Sequence, residues 1–524
     1  MVAASQPLAV AAGLEALRAG GSAADAAIAT AAALNVTEPA STGLGGDAFA
    51  LYYDAQTRAV FALNGSGRSP RALTLDRLRR DGFSEALPPY HPYCVTVPGA
   101  AAAWCDLSAR FGRLPLSTTL APAMQLAEEG FPVAPLTAYA WQRSAETQLR
   151  AAVNGIELTL NGRGPRAGEI FRNPGLARTL RLLAIGGKDA FYRGPVAEAI
   201  VAVLREAGGC MALDDLAAHT TAWAEPLSTV YRGLRVYECP PNGQGLAALL
   251  ALNLLAGFDL AALPALSAER LHLLIEAMRL AFADARRYVA DPDLAPAPLD
   301  ALLGPDYSAA RRGLIRPDRA IPLVAHGVPL SSSDTVYLSA VDAQGNACSF
   351  INSNYMGFGT GIVPRGWGFA LQNRGHNFSL DPAHPNALAP GKRPYHTIIP
   401  AMATDAASGE LYASFGVMGG FMQPQGHVQV FTALVDDGLD PQAALDRPRF
   451  CIEPADPRGA VALEEGIPPQ VIARLAELGH PVSQVSGAAR SLFGRGQIIR
   501  RDPASGVLWA GSDPRADGCA MTLV

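Results

Sequence analysis

Clusters of basic residues are missing from this sequence. Its 42 Lys and Arg are outnumbered by 47 Asp and Glu, and the doublets Arg311-Arg312 and Arg500-Arg501 stand isolated, as solvated surface pairs do. A nucleic-acid partner would find no electrostatic footprint here. Long apolar runs are absent as well. The most apolar stretch, Ala247 to Leu260, is too short and too interrupted by Gly and Asp to cross a bilayer, so no membrane association is expected. The opening Met1-Val2-Ala3-Ala4-Ser5 has no basic region ahead of an apolar core, and no signal peptide is expected. Cysteine is scarce: seven residues, scattered, odd in number and without a Cys-x-x-Cys pair. With no His-x-x-x-His on a helical pattern either, the expectation is no metal, no other cofactor and no disulfide framework. Reduced, mostly buried thiols in a cytoplasmic protein are the plain reading.

What is present describes a well-buried globular chain, with 49% hydrophobic and 17% charged residues. A length of 524 residues allows two to four ordinary domains. No low-complexity linker or shift in composition divides it, which points to one large core or two closely packed lobes. Ser22 with Asp25 resembles a capping box and opens a small-residue helix, Ala23 to Leu34. Ala50 to Leu63 reads as two strands about Asp54-Ala55-Gln56. Leu271, Leu274, Ile275, Met278, Ala281, Phe282 and Ala285 recur at helical steps and mark a helix from Ser267 to Ala290, stopped by Asp291-Pro292. Leu299 to His326 is Pro- and Arg-rich without periodicity, as an exposed excursion would be. Short strands follow, then a late helix from Pro468 to Gly479. Such mixing implies α/β or α+β layering.

The segment Ser331 to Asn346, Ser-Ser-Ser-Asp-Thr-Val-Tyr-Leu-Ser-Ala-Val-Asp-Ala-Gln-Gly-Asn, carries the most information. Thr335 heads an alternating run, a turn rich in Asp, Gln, Gly and Asn follows, and Ala347 to Ser353 runs back. This is a hairpin pattern. Centred on Gln344, it opposes residues equidistant from that point, Thr335 and Ser353 among them. Opposed residues share a sheet face, so two hydroxyls would meet at one end. A bland Thr–Ser pair on a half-exposed strand accounts for the same pattern.

Asp334-Thr335 followed by Ser-Ala-Val-Asp-x-x-Gly-Asn resembles the processing site of the gamma-glutamyltranspeptidase family, whose precursors cut themselves before a Thr. Gly20 to Ala27, and Glu38-Pro39 through Gly43-Leu44-Gly45-Gly46, resemble that family's opening helix and glycine turn. Phe358-Gly359-Thr360-Gly361-Ile362-Val363, Pro390 to Pro394, Gly416-Val417-Met418-Gly419-Gly420 and Arg447-Pro448-Arg449-Phe450 continue the likeness in order. The resemblance implies a four-layer αββα sandwich of the N-terminal nucleophile hydrolase type. Residues 1–334 would form a large-subunit segment and 335–524 a small one, both building one core and staying associated after the cut.

The chemistry implied is economical. Once freed, an N-terminal Thr carries its own base, an α-amine with an unperturbed pKa of about 8. No separate His is then needed, and no Gly-x-Ser-x-Gly elbow exists to suggest another nucleophile. Ser353 would orient the Thr335 hydroxyl, a role given to a second Thr in better-known relatives. Gly419-Gly420 matches the family's oxyanion-hole pair; a tight turn after Tyr412–Val417 gives the same glycines a purely backbone reason.

Substrate recognition departs from the glutathione-cleaving pattern. The Arg expected four residues before Pro70 is Ser66, with Arg68 the nearest replacement. The Asp that pairs with the glutamyl amine falls on Asn377, the usual Ser-Ser on His396-Thr397, and an expected Asn on Tyr355. Gln372-Asn373-Arg374-Gly375 and Tyr395-His396-Thr397 instead resemble a divergent branch that includes oxamate amidohydrolases and some cephalosporin acylases. Arg374 is favoured over Arg68 as the carboxylate fork, against an alternative in which it pairs with Asp381. The expectation is a self-processed N-terminal-threonine amidohydrolase or acyltransferase that takes small gamma-glutamyl or similar acidic amides and passes the acyl group to water or an amine. Oxamate or glutaryl amides are the rival substrates, and an unprocessed, silent binding protein is the rival class. A homodimer is compatible with the sequence.

Overall fold

The strand Asp47–Asp54 shows how the layers arise. Phe49, Leu51 and Tyr53 point one way, into a cluster with Tyr337, Ile351, Met402 and Ile499, while Ala48, Ala50 and Tyr52 point the other way into a cluster shared with helices. A strand buried on both faces must lie inside a multilayer sandwich. The computed structural model, which describes residues 1–322, 334–453 and 459–523, contains two central sheets, and these interlock through that first cluster. One has seven strands in the order Cys519–Met521, Val2–Ala4, Asp334–Val341, Ala347–Tyr355, Asp47–Asp54, Ala59–Asn64, Ala222–Ala224. The other has six: Leu508–Ser512, Arg495–Arg501, Leu411–Met418, Ala401–Asp405, Leu234–Glu238, Leu227–Tyr231. Neighbouring strands in both sheets run antiparallel. Each sheet takes strands from both sides of Thr335.

Helices cover the outer faces. Ala23–Thr37 is buried along its whole length and is rich in Ala, so it can lie close against the seven-stranded sheet. Its capping box is formed: the Ser22 and Asp25 side chains each accept the other's backbone N–H. Ala100–Phe111 covers the same sheet, and its Trp104 Nε1 donates to Asn352 Oδ1 at 3.0 Å. On the other side lie Gly245–Leu255, Ala268–Tyr288 and Met422–Val435. The result is the αββα sandwich.

Two expectations need correcting. The stretch after Leu299 is not irregular throughout, because Leu299–Leu303 and Pro305–Arg312 are helical; residues 323–326 of that stretch lie outside the described residues. Arg311 and Arg312 are not merely solvated. Arg311 forks onto Asp284 at 2.8 and 3.1 Å, and Arg312 donates to the carbonyls of Asn253 and Leu254. The Arg312 bonds serve carbonyls in the last turn of the Gly245–Leu255 helix. All seven cysteines are free and five are buried. Among the described residues no helix is long and apolar enough to cross a membrane.

Candidate active site

The hairpin about Gln344 is regular from Val341/Ala347 to Val336/Asn352, then its register shifts so that Tyr355 faces Asp334. A bulge bends a strand and re-aims its side chains. Here it occurs at Ser353, whose Oγ lies 3.0 Å from Thr335 Oγ1. Tyr355 has φ 84°, a left-handed conformation that costs a non-glycine residue roughly 1–3 kcal/mol. In exchange its backbone N–H donates to Ser353 Oγ at 2.9 Å.

Arg374 approaches the same hydroxyl from the short helical turn Arg374–Asn377. Nη2 donates to Ser353 Oγ at 3.2 Å and Nη1 to Thr397 Oγ1 at 2.6 Å. The guanidinium carbon sits 4.3 Å from the centre of the Tyr355 ring, close enough for a cation–π contact. The side chain is 0% exposed. Burial draws its pKa down to about 10, with Asp47 and Tyr355 opposing the shift, so it stays charged at neutral pH. Among the described residues its Nε–H has no acceptor.

The balancing charge is Asp47. Its Oδ1 accepts from the amides of Gly67 and Gly99 and from Gln372 Nε2, and its Oδ2 lies 2.9 Å from His396 Nε2. The approach is possible because Gly99 has no side chain: a Cβ there would sit 1.7 Å from Gly65 O. His396 Nδ1 accepts the Ile398 N–H, which assigns the imidazole proton to Nε2 and its hydrogen bond to Asp47. Burial and the nearby Arg374 hold His396 well below the usual imidazole range. Burial also pushes Asp47 up to about 7, against the pull of Arg374 and the amide donors.

The Leu411–Met418 strand ends in Gly419 and Gly420, at φ 135° and 62°. Both values favour glycine. Among the described residues neither amide donates to a backbone acceptor. Gln244 holds the turn: its Nε2 donates to Gly420 O at 2.8 Å and Thr397 O at 2.7 Å, while its Oε1 accepts from Tyr395 Oη at 3.1 Å.

The structure therefore brings Thr335, Ser353, Tyr355, Arg374 and Thr397 together, with His396 turned to Asp47. Arg68 is engaged elsewhere, paired with Asp291 at 3.0 Å and Asp293 at 2.7 Å and bonded to Gly391 O. Asn377 is engaged at both ends: its Oδ1 accepts from Tyr355 Oη at 2.6 Å and its Nδ2 donates to Tyr395 O. Arg374 pairs with hydroxyls and not with Asp381, which accepts the Ala383 amide. Two contributors escaped the sequence reading: Asp47 and Gln244. Asp47 carried a signal, a lone carboxylate between a glycine pair and an apolar strand. Gln244 carried none, and Gln372 stood in the Gln372-Asn373-Arg374-Gly375 motif with no role assigned to it.

The sequence model of gamma-glutamyltranspeptidase matches residues 9–523. The chain belongs to that family. It is similar to the glutathione hydrolase-like YwrD proenzyme of Bacillus subtilis, 37% identical over 100% of this chain and 98% of the relative. The oxamate amidohydrolase proenzyme of Klebsiella pneumoniae is 35% identical, over 99% of this chain and 98% of the relative. Among solved structures, a cephalosporin acylase from Bacillus halodurans superposes with a TM-score of 0.92 at 46% identity, covering 99% of this chain and 94% of that one. As a gamma-glutamyltranspeptidase-family member the chain is an enzyme, an N-terminal nucleophile amidohydrolase of the hydrolase and transferase type.

Proposed function

We propose that Thr335 is the nucleophile, released by self-cleavage after Asp334, and that the mature enzyme hydrolyses small amides whose acyl part ends in a carboxylate. The observation that carries this reading is the Thr335–Ser353–Arg374 contact chain. A hydroxyl at a family processing site touches a second hydroxyl, and a buried guanidinium with unused donors is bonded to that second one.

In each turnover Thr335 Oγ1 attacks the amide carbon while the freed α-amine takes its proton. The developing oxyanion would be met by the Gly419 and Gly420 amides. The amine leaves with that proton and water opens the acyl-enzyme. Arg374 spends two of its five N–H groups on Ser353 and Thr397. A substrate carboxylate would occupy the others and relieve a buried donor that otherwise costs about 1–3 kcal/mol. The neutral Asn377, tied to Tyr355 and Tyr395, offers no anion for a substrate ammonium. This favours glutaryl- or oxamate-like acyl groups over γ-glutamyl ones; the oxamate amidohydrolase relative accords with that preference and the glutathione hydrolase-like relative does not.

In the uncut chain Thr335, Ser353, Tyr355, Arg374 and Thr397 are all 0% exposed. Self-cleavage would accordingly precede substrate entry, leaving two fragments associated around shared sheets. An activity screen comparing glutathione, a γ-glutamyl anilide, oxamate and glutaryl amides tests the reading. Turnover of the last two above the first two is expected, and a clear preference for glutathione would overturn the acyl assignment.

A further inference from the structure

We propose that Arg374 is a positioning residue for the nucleophile, acting on Thr335 through Ser353, and is therefore required for the chain's self-cleavage as well as for its action on substrates. The proposal rests on Thr335 being the nucleophile, and its test separates the two claims.

A side chain that only reads a substrate carboxylate should be free to meet it. Arg374 is held at three points before any substrate arrives. One arm is held by Thr397 and the other by Ser353, Tyr355 lies against its face, and it is wholly buried. Asp47 faces Ser353 across the neighbouring strand and is itself fixed by Gly67, Gly99, Gln372 and His396. The positive charge is thus locked next to Ser353 before any substrate arrives. A guanidinium N–H donated to Ser353 Oγ polarises that hydroxyl. Its contact with Thr335 Oγ1 then better supports the negative charge that grows on the attacking oxygen. In a site closed to water such an effect is strong.

Self-cleavage isolates this role because no substrate takes part. Thr335 Oγ1 bonds to the Asp334 carbonyl carbon, the Asp334–Thr335 C–N bond breaks, and the nitrogen keeps the proton given up by the hydroxyl. Water then opens the ester to leave a carboxylate on Asp334 and a free amine on Thr335. A residue that reads only the substrate cannot change the rate of this reaction.

The test follows full-length chain made by cell-free synthesis, sampled over time on denaturing gels. Arg374→Ala should slow self-cleavage at least about tenfold, Ser353→Ala should slow it comparably, and the double variant should be little slower than the worse single one, since the two act as a unit. Arg374→Lys, which keeps the charge but not the planar fork, should recover part of the rate. Folding is checked by thermal melting of the same substitutions placed on a Thr335→Ala background, where no cleavage intervenes. Should Arg374→Ala prevent folding, Arg374→Lys and Thr397→Val carry the test. Cleavage at the wild-type rate in a folded Arg374 variant would overturn the proposal while leaving Thr335 as nucleophile. Cleavage of Thr335→Ala itself would overturn the nucleophile assignment.

Discussion

Asp47 and Ser353 are a cross-strand pair in the seven-stranded sheet. This puts a buried carboxylate one strand from the hydroxyl that touches Thr335. The pairing would link the pH response of the enzyme to a residue held by Gly67, Gly99, Gln372 and His396.

That response has a definite sign. Only one hydrogen fits between Asp47 Oδ2 and His396 Nε2 at 2.9 Å, and the imidazole already supplies it. Protonating Asp47, whose pKa is raised by burial to about 7, therefore forces His396 to give up either this bond or the one from Ile398. Activity should rise as pH climbs through that value. Stability should respond oppositely, because a carboxyl with a raised folded pKa holds its proton more tightly when folded, and its contribution is lost as pH rises through the folded pKa. Asp47→Asn should flatten both curves and lower kcat/KM. Rate and melting profiles from pH 5 to 9 check this, and an unchanged acidic limb in Asp47→Asn would assign the limb to another group.

Thr335→Ala should remain a single full-length band and show no activity. The wild-type chain should resolve into fragments 1–334 and 335–524, the smaller beginning Thr-Val-Tyr. N-terminal sequencing of the small band decides the cut position.

In enzyme that has already matured, removing the Arg374 fork should separate substrates by charge. Losing a charge-assisted hydrogen bond costs about 1.5–3 kcal/mol, on the order of ten- to a hundredfold in kcat/KM. Acidic amides should lose that factor beyond whatever neutral amides lose through a weakened nucleophile. Steady-state kinetics of a glutaryl amide against its uncharged butyryl counterpart, in Arg374→Lys, measures the difference. Equal losses would mean the residue does not read the substrate.

Replacing Asn377 by Asp should not simply recreate a γ-glutamyl pocket. Asn377 Nδ2 donates to Tyr395 O at 3.0 Å, and a carboxylate there would face that carbonyl with nothing to donate. A loss of about 1–3 kcal/mol of stability is expected, read as a fall in melting temperature. A variant as stable as wild type would show that the Tyr395 carbonyl finds another donor.

Gly420→Ala should lower kcat with little change in KM. A side chain at φ 62° strains the turn by roughly 1–2 kcal/mol and displaces the amide proposed to meet the oxyanion. Stopped-flow acylation rates report the effect, and an unchanged rate would leave the glycine a purely backbone role.

Much of this site could be read from residue order, and the reasons are local. Thr335 and Ser353 sit on one hairpin, so counting from its turn opposes them, although only coordinates show that a bulge at that level aims both hydroxyls together. Arg374 stood out because its chemistry matched a missing function. Arg68 stood out for the same reason but lies among Asp291 and Asp293, which sequence could not place near it. Asp47, Gln244 and Gln372 act through contacts spanning many residues in the chain; no period or cap marks such contacts. The αββα order of layers was likewise beyond periodicity, since strands buried on both faces do not alternate.

The sharing of both sheets between residues on either side of Thr335 has a consequence for the life of the enzyme. Before the cut, folding is a one-chain process whose success does not depend on concentration. After a cut before Thr335, strands such as Asp47–Asp54 and Ala347–Tyr355 would belong to different fragments. A cut enzyme that unfolds must then find its other half by diffusion before the sandwich can close again. Maturation would therefore exchange a reversible fold for one whose persistence is set by how slowly it opens.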